Sequence, residues 1–165
     1  MLLICTATHH QNLALAQQIE ARSKSLGIAV KLVDLSTQDL PLFTSTKPQP
    51  QPPEAVMNAL IDAFTEASGF VFCAPEYNGS IPPTFTNAIT WLSIVSDDFR
   101  ALFNNKPAAL ATHSGGEGQK LLISMRIMLS HLGINVLGRE LSVKGKEPIK
   151  DSSIDDVILR LKSLL

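Results

Sequence analysis

The sequence Gly69-Phe-Val-Phe-Cys-Ala74 is apolar throughout and rich in bulky side chains. A continuous apolar strand of this kind is buried on both faces, which is typical of a parallel sheet covered by helices on both sides. Two further short runs, Leu2–Thr6 and Pro107–Thr112, have a similar apolar character. The three runs predict buried strands of one α/β sheet.

Predicted strands and helices alternate along the rest of the chain. Helical spacing of apolar residues, with Gly27 and Gly133 as helix stops, separates the strands. Because parallel neighbours require crossover connections, this alternation predicts an open, doubly wound sheet. The five predicted strands are Leu2–Thr6, Ile28–Leu35, Gly69–Ala74, Pro107–Thr112 and Ile134–Leu137. The predicted helices are Asn12–Leu26, Glu54–Ala67, Pro83–Val95, Gly118–Leu132 and Ser153–Leu165, the last one capped by its serine.

The composition excludes several classes of protein. The 165 residues are 45% hydrophobic and 18% charged, as in a folded globular protein rather than a disordered one. A formal net charge of −1 without a long basic run does not support binding to nucleic acid or to an anionic membrane. No apolar run approaches the roughly 20 residues that span a bilayer. Since Met1–Cys5 lacks the basic segment of a signal peptide, we expect a cytoplasmic protein with reduced cysteines.

Polar residues gather after three of the predicted strands. The segments are Thr6–Asn12, Pro75–Pro83 and Thr112–Gly118. Ligands of doubly wound sheets bind outside the carboxyl ends of the strands. All three segments lie on one such edge if the strand order is 2-1-3-4-5, so this edge is the predicted binding site.

The first polar segment is a candidate anion site. It offers the hydroxyls of Thr6 and Thr8, the amide of Asn12 and free backbone N–H groups at a helix start. The alternative is that Thr8 or Asn12 only caps the helix. No G-x-G-x-x-G follows the first strand, which disfavours a dinucleotide-binding Rossmann domain. Gly115–Lys120 has the wrong spacing for a P-loop, and Leu121 stands where serine or threonine should follow the lysine.

The second polar segment, Pro75-Glu-Tyr-Asn-Gly-Ser80, carries the strongest signal. Its Asn-Gly pair favours a tight turn, and prolines lie at both ends of the loop. Tyr77 is the only tyrosine of the chain and lies beside a carboxylate and an amide. The alternative is an ordinary turn between strand and helix. A polar segment braced by proline nevertheless suits a surface that holds a flat heterocycle by backbone hydrogen bonds.

These residues resemble the signature of the NADPH-dependent FMN reductase family, which also includes quinone, chromate and azo-dye reductases. The resemblance extends to Asn87-Ala-Ile-x-Trp91, Asp39–Phe43, Ser114–Gly118 and Leu132–Val136. It implies a flavodoxin-like three-layer sandwich, with a five-stranded parallel sheet in the order 2-1-3-4-5, over a single FMN-binding domain of residues 1–165. The implied activity passes electrons from NADPH or NADH to a small-molecule acceptor such as a quinone or free flavin. The family also suggests a homodimer or homotetramer.

The resemblance further implies positions for the cofactor. The Pro75–Ser80 loop and the glycines after the fourth strand would approach the isoalloxazine ring. The flavin would perform the chemistry, so no catalytic residue and no metal ligand is predicted. The first loop lacks the arginine and glycine that are common in the family. Thr6 or Thr8 could replace the family's serine, and His9 or His10 is the nearest group that could neutralise the phosphate. The predicted cofactor-binding residues are Thr6, Thr8, His10, Asn12, Leu13, Pro75, Glu76, Tyr77, Asn78, Gly79, Ser80, Ser114, Gly115 and Gly116.

Two other classes of protein remain open on the sequence. A flavodoxin-type electron carrier usually has marked surface acidity, and the net charge of −1 argues against it. A flavin-free binding or regulatory relative is consistent with the altered first loop. Cys5 and Cys73 end neighbouring predicted strands; we expect inert buried thiols, with a redox pair as the alternative. The loop Ser36–Pro53 holds five of the ten prolines and could cover the site or a partner subunit.

Overall fold

The computed structural model describes residues 1–146 and 148–165 and shows a parallel sheet with helices on both faces. The sheet order β2-β1-β3-β4-β5 confirms the predicted topology. The strands are β1 (Leu2–Thr6), β2 (Val30–Asp34), β3 (Gly69–Cys73), β4 (Pro107–Ser114), β5 (Asn135–Val136) and β6 (Leu141–Lys144). The helices are α1 (Gln11–Ser25), α2 (Glu54–Glu66), α3 (Pro83–Ser93), α4 (Gln119–His131) and α5 (Asp151–Lys162), with a short 3-10 turn at Leu35–Thr37.

The edge beside β4 is more complex than the single fifth strand predicted over Ile134–Leu137. Two short strands pair with β4 in succession, first β5 and then β6. Between them, the Arg126 guanidinium donates to the carbonyl oxygens of Val136 and Leu137 and pairs with Glu140. In β6, Leu141 and Val143 are buried while the residues between and after them are exposed. This alternation is the sequence signal that could have predicted β6.

Several predicted helix ends shift by a few residues. The predicted serine cap at Ser153 is wrong, because α5 begins at Asp151 after Lys150, and no side chain caps it among the described residues. Asp151 lies in the first turn, where a carboxylate interacts favourably with the helix dipole. The buried residues of α5 are Ile154, Val157, Ile158 and Leu161, all within the predicted helix.

The core consists of two layers, one on each face of the sheet. Helices α2, α3 and α4 cover one face, where Phe64, Phe70, Phe72 and Phe85 are completely buried. Helices α1 and α5 cover the other face. All five residues of β3 are buried, as its apolar sequence predicts. The carboxyl ends of β1, β3 and β4 therefore open on one edge between the two layers.

The two cysteines lie on opposite faces of the sheet. Cys5 belongs to the layer under α2–α4 and Cys73 to the layer under α1 and α5, and both are free thiols. Burial raises the pKa of Cys73 to about 12. Burial, with a smaller contribution from Cys73, also raises the pKa of Cys5. Burial disfavours the reactive thiolate form of both cysteines, and their positions on opposite faces argue against the alternative of a redox pair.

The first part of the proline-rich loop is fixed to α3. The Asn87 amide donates to the carbonyl oxygens of Leu40 and Pro41 and accepts from the Phe43 N–H. The indole N–H of Trp91 donates to the Pro41 carbonyl oxygen over 2.7 Å. Two of the motif segments identified in the sequence thus form one structural unit. None of the described helices combines the length and apolarity needed to cross a membrane.

Candidate functional site

A cavity of about 340 Å³ opens at the carboxyl edge of the sheet. Its walls come from the loops after β1, β3 and β4, together with Gly145 after β6. The structure therefore brings together the three polar segments predicted to meet there. The predicted site residues in its wall are Thr8, His10, Asn12, Pro75, Glu76, Tyr77, Ser114 and Gly115; His9, Gln11 and His113 also line it.

The remaining predicted residues adjoin this cavity without forming its wall. Asn78 and Ser80 line a second hollow of about 440 Å³ on the other side of the same loop, which Glu76 and Tyr77 share. Thr6 is fully buried beneath the first loop, and its hydroxyl donates to the Thr8 carbonyl oxygen over 2.8 Å. Leu13 and Gly116 directly follow the wall residues Asn12 and Gly115 in the sequence, and Gly79 lies between Asn78 and Ser80 of the second hollow.

The start of α1 leaves backbone donors at the cavity. Helix α1 begins at Gln11, and within the described residues no side chain caps it. Neither Thr8 nor Asn12 acts as the cap, so that alternative from the sequence is wrong. The N–H groups of the first helical turn have no intrahelical acceptors. Together with the helix dipole, they form a suitable site for an anion.

His10 precedes α1 in a strained conformation. Its backbone has φ 64° and ψ −122°, a region that glycine adopts far more readily than a residue with a side chain. Such strain costs on the order of 1–3 kcal/mol and is retained only where the surroundings enforce it. It occurs here at the point where the chain turns into the helix that borders the cavity.

The side chain of Asn12 joins the first loop to the end of β4. Its amide nitrogen donates to the His113 carbonyl oxygen and its amide oxygen accepts from the His113 N–H, both over 2.9 Å. Asn12 is 2% exposed. The Asn12 side chain thus satisfies the backbone N–H and carbonyl of His113, and it ties two walls of the cavity together.

The second loop has the turn that its sequence predicts. Tyr77 and Ser80 exchange two backbone hydrogen bonds of 3.1 and 2.9 Å. Asn78 and Gly79 between them have φ values of 51° and 71°. Two positive φ values in a two-residue turn define type I′, which favours Asn-Gly. The turn leaves the Tyr77 side chain 48% exposed beside the cavity.

Glu76 connects the second loop to the third. Its backbone N–H donates to the Ser114 hydroxyl over 2.8 Å, and that hydroxyl also contacts the buried Thr112 hydroxyl at 2.9 Å. One carboxylate oxygen of Glu76 accepts from the Leu121 N–H in the first turn of α4 at 3.3 Å. The loop that carries Tyr77 is therefore held at its base by β4 and by the start of α4.

The glycines of the third loop differ in whether packing within the chain requires a residue without a side chain. A Cβ on Gly115 or Gly116 meets no protein atom within 4 Å. At Gly118, by contrast, φ is 66° and a Cβ would lie 2.7 Å from the Thr112 methyl group. Packing within the chain thus explains Gly118, whereas Gly115 and Gly116 leave open space beside the cavity.

Asp34 adjoins the site through His9 and was not predicted from the sequence. It ends β2, and its carboxylate lies 2.9 Å from Nδ1 of His9 in the first loop. Burial alone would raise the pKa of Asp34, but hydrogen bonds from Ser36 and His9 outweigh it and lower the pKa below its ordinary value. An acidic residue at the carboxyl end of a strand next to β1 was the available signal.

The cavity has no built metal site within the described residues. No group of three or more histidine, cysteine or acidic side chains is placed there to hold an ion. Its polar groups are instead backbone donors, hydroxyls, the amides of Gln11 and Asn12, three histidines, one tyrosine and, on the second loop, the Glu76 carboxylate. This arrangement suits an extended ligand with an anionic end at α1 and a flat polar end between the second and third loops.

Comparison of the sequence with known proteins finds a family model and curated relatives. The model of the family described as NADPH-dependent FMN reductase matches residues 2–147. A quinone reductase of Escherichia coli (strain K12) is 33% identical over 106 residues, which cover 63% of this chain and 55% of that protein. A quinone reductase of Shigella flexneri matches equally well. The matched region thus spans about half the length of these relatives.

Solved structures with the same fold include an NAD(P)H:(acceptor) oxidoreductase, the flavoenzyme FerB from Paracoccus denitrificans. It has a TM-score of 0.75 at 17% identity, with 99% of this chain and 93% of that chain covered. A flavodoxin from Streptococcus pneumonia TIGR4 has a TM-score of 0.67 at 12% identity, covering 99% and 98% of the two chains. These likenesses confirm the flavodoxin-like fold.

Proposed function

Because the chain belongs to the NADPH-dependent FMN reductase family, we propose that it binds FMN in the cavity at the sheet edge and passes electrons from NADPH or NADH to a small-molecule acceptor. A quinone or free flavin is the proposed acceptor. The observation that carries the proposal is the meeting of three loops, after β1, β3 and β4, around one cavity. Its volume of about 340 Å³ lies within the usual range of small-ligand sites.

The residues present fit the phosphate end of FMN at the start of α1. The first helical turn offers N–H groups that no described side chain caps, and the helix dipole favours a negative charge there. Thr8 adds a hydroxyl in the cavity wall. The Asn12 amide serves this end indirectly, because it is already bonded to the backbone of His113.

The second and third loops fit the ring end. Pro75, Glu76 and Tyr77 form one wall, and the space beside Gly115 and Gly116 allows a flat group to approach the backbone. The Ser114 hydroxyl holds Glu76, so it positions this wall. We therefore propose that Pro75–Ser80 and Ser114–Gly116 hold the isoalloxazine ring, with the half-exposed Tyr77 at its edge.

When bound, FMN supplies the hydride and electron transfer chemistry. The chain's own part is to orient the ring, to bind its phosphate and to leave one ring face open. No side chain of the described cavity wall is needed as a general acid or base. Donor and acceptor would bind beside the flavin in turn, at the part of the cavity that the three loops leave open.

We also propose that the chain forms a homodimer or homotetramer in the cytoplasm. Ile123 and Ile127 are 58% and 68% exposed and lie one turn apart on α4, and Phe99, which stacks on His131 at the end of α4, is also exposed. Apolar side chains in such a row support contact with a second subunit. The two free cysteines are consistent with a reducing compartment. Sedimentation velocity on the purified chain tests the subunit number; a monomer at micromolar concentration contradicts it.

Binding and steady-state kinetics test the proposed function. The protein should bind FMN more tightly than riboflavin, which lacks the phosphate, or FAD, which adds a bulky adenylate. With FMN bound, oxidation of NADPH by a quinone should follow ping-pong kinetics with parallel double-reciprocal lines. Intersecting lines would indicate separate donor and acceptor sites. Tight FMN binding without turnover would indicate an electron carrier, and absence of flavin binding would indicate a flavin-free relative.

A further inference from the structure

The cavity wall offers few cations for an anionic ligand. Its described residues include no lysine and no arginine; the side chains that can carry a positive charge are His9, His10 and His113. The ring of His113 already has a hydrogen-bond partner, because its Nε2 lies 2.6 Å from the Gly145 carbonyl oxygen. The first loop therefore holds the two histidines whose rings remain candidates for contact with a phosphate.

His9 and His10 differ in how they are held. Nδ1 of His9 lies 2.9 Å from the Asp34 carboxylate. The His10 ring has no hydrogen-bond partner among the described residues and only meets the His9 ring edge to face, at 5.5 Å between centroids. A hydrogen bond at one ring nitrogen also fixes the direction in which the other ring nitrogen points. His9 is thus the ring with a defined orientation.

Asp34 is itself well fixed. One of its oxygens accepts hydrogen bonds from the Ser36 N–H and hydroxyl, at 2.9 and 2.6 Å, and the other contacts His9. The side chain of Asp34 is 11% exposed, whereas that of His9 is 60% exposed. The carboxylate is therefore the more rigid partner, and Nε2 of His9 makes no hydrogen bond within the described residues.

We infer that Asp34 is a positioning residue that holds His9 as the cation for the phosphate of the ligand in this cavity. The inference rests on the proposed function, since it takes FMN as that ligand. With Nδ1–H donated to Asp34, a neutral His9 presents Nε2 as an acceptor, which a phosphate cannot use. Uptake of one proton from solvent at Nε2 converts it into a charge-assisted donor toward the phosphate.

The charges around His9 set the sign of the pH dependence. A dianionic phosphate is bound more tightly by a protonated imidazole than by a neutral one, because opposite charges attract and the hydrogen bond becomes charge-assisted. Histidine ordinarily titrates near pH 6.5 and a phosphate monoester near 6. FMN affinity should therefore decline as pH rises above about 6.5 and level off below about 6. The other titratable side chains around the cavity are His10, Glu76, Tyr77 and His113.

The test is titration of the apoprotein with FMN and with riboflavin between about pH 6 and 8.5 at constant salt. His9→Gln should weaken FMN binding about tenfold near pH 6.5, as expected for loss of a charge-assisted hydrogen bond. It should leave riboflavin binding unchanged and abolish the decline at higher pH. Because His9 is exposed, this variant should fold normally.

Asp34→Asn tests the positioning role. The new amide can still accept from Ser36, but its NH₂ group opposes a protonated Nδ1, so FMN affinity should fall and the pH dependence should flatten. Asp62→Asn is the matched control: it makes the same change at an exposed position of α2 outside the cavity wall, and the pH profile should remain that of the wild type. Thermal denaturation of each variant identifies any general loss of stability.

Several outcomes would overturn the inference. A pH profile of His9→Gln identical to that of the wild type shows that His9 does not contact the phosphate. Tighter FMN binding by Asp34→Asn shows that the carboxylate repels the phosphate instead of positioning its cation. Both results leave the proposed function intact if the wild type still prefers FMN. Equal wild-type affinity for FMN and riboflavin would instead overturn the phosphate site itself.

Discussion

The first and second loops border the same cavity but are held in different ways. The loop around Asn78 and Gly79 has its shape set within four residues, by two positive φ values and two backbone hydrogen bonds. The first loop is held from a distance: His9 by Asp34, 25 positions away, and Asn12 by His113, 101 positions away. The turn of the second loop is therefore encoded locally, although Ser114 and the Leu121 N–H hold the base of that loop. The first loop takes shape only when the whole sheet has formed.

The largest expected effect comes from a change in the locally encoded turn. Gly79→Val places a β-branched residue at φ 71° and brings its Cβ to 3.3 Å from Cδ of Lys120. The strain is on the order of 1–3 kcal/mol. Since it falls on the loop proposed to hold the flavin ring, FMN affinity should decrease about 10- to 100-fold in a fluorescence titration.

Gly27→Val is the matched control for this change. Gly27 also has φ 71°, has open space around its Cβ position and lies after α1, outside the cavity wall. Its variant should lose free energy of unfolding to a similar extent but keep its FMN affinity. Normal FMN binding by Gly79→Val would show that the second loop is not the ring platform.

A smaller effect on ligand binding is expected from a change in the wall held at a distance. Asn12→Ala removes both hydrogen bonds to His113 and leaves its backbone N–H and carbonyl without these partners. The free energy of unfolding should fall by about 2 kcal/mol, and FMN affinity should fall with it because the two walls lose their tie. Urea denaturation measures the first quantity. Asn58→Ala, an exposed change on α2, should be close to neutral. An unchanged stability of Asn12→Ala would contradict the account of this wall.

The smallest effect is a gain in stability. His10→Gly should relieve the strain at φ 64° and ψ −122°. Part of the gain is offset by the greater freedom of glycine in the unfolded chain, so the ligand-free protein should gain on the order of 1 kcal/mol. His9→Gly, which loses the contact with Asp34, should lose stability under the same conditions. A loss of equal size in both variants would show that His10 is not strained.

The same contrast explains how much of the molecule the sequence could predict. The buried strands and the Asn-Gly turn follow from the types of residues that lie next to one another, so they are legible in Gly69–Ala74 and in Pro75–Ser80. Helix starts, such as the one predicted at Ser153, are harder to predict, because a cap depends on the geometry of only one or two residues. The short strand β6 is not predicted, because an alternation over only four residues is a weak signal.

The functions of polar side chains in the first loop could not be assigned in the same way. Asn12 was predicted as a ligand of the cofactor, yet its amide is bonded to His113, which reaches it only through the folding of the intervening sheet. Asp34 was not predicted at all, because its relevance comes from the pairing of β1 with β2. Contacts between distant segments decide which polar groups remain free for a ligand, and local patterns do not record them.

Anaerobic reduction of the FMN-loaded protein tests the proposed function most directly. Addition of NADPH, and separately of NADH, should bleach the visible absorbance of the bound flavin with at least one of the two donors. A quinone added afterwards should restore it, in proportion to the nucleotide consumed. If the second loop holds the flavin ring, Gly79→Val should show this bleaching and recovery only at a much higher FMN concentration. Bound FMN that stays oxidised in excess NADPH and NADH would contradict the proposed reductase activity.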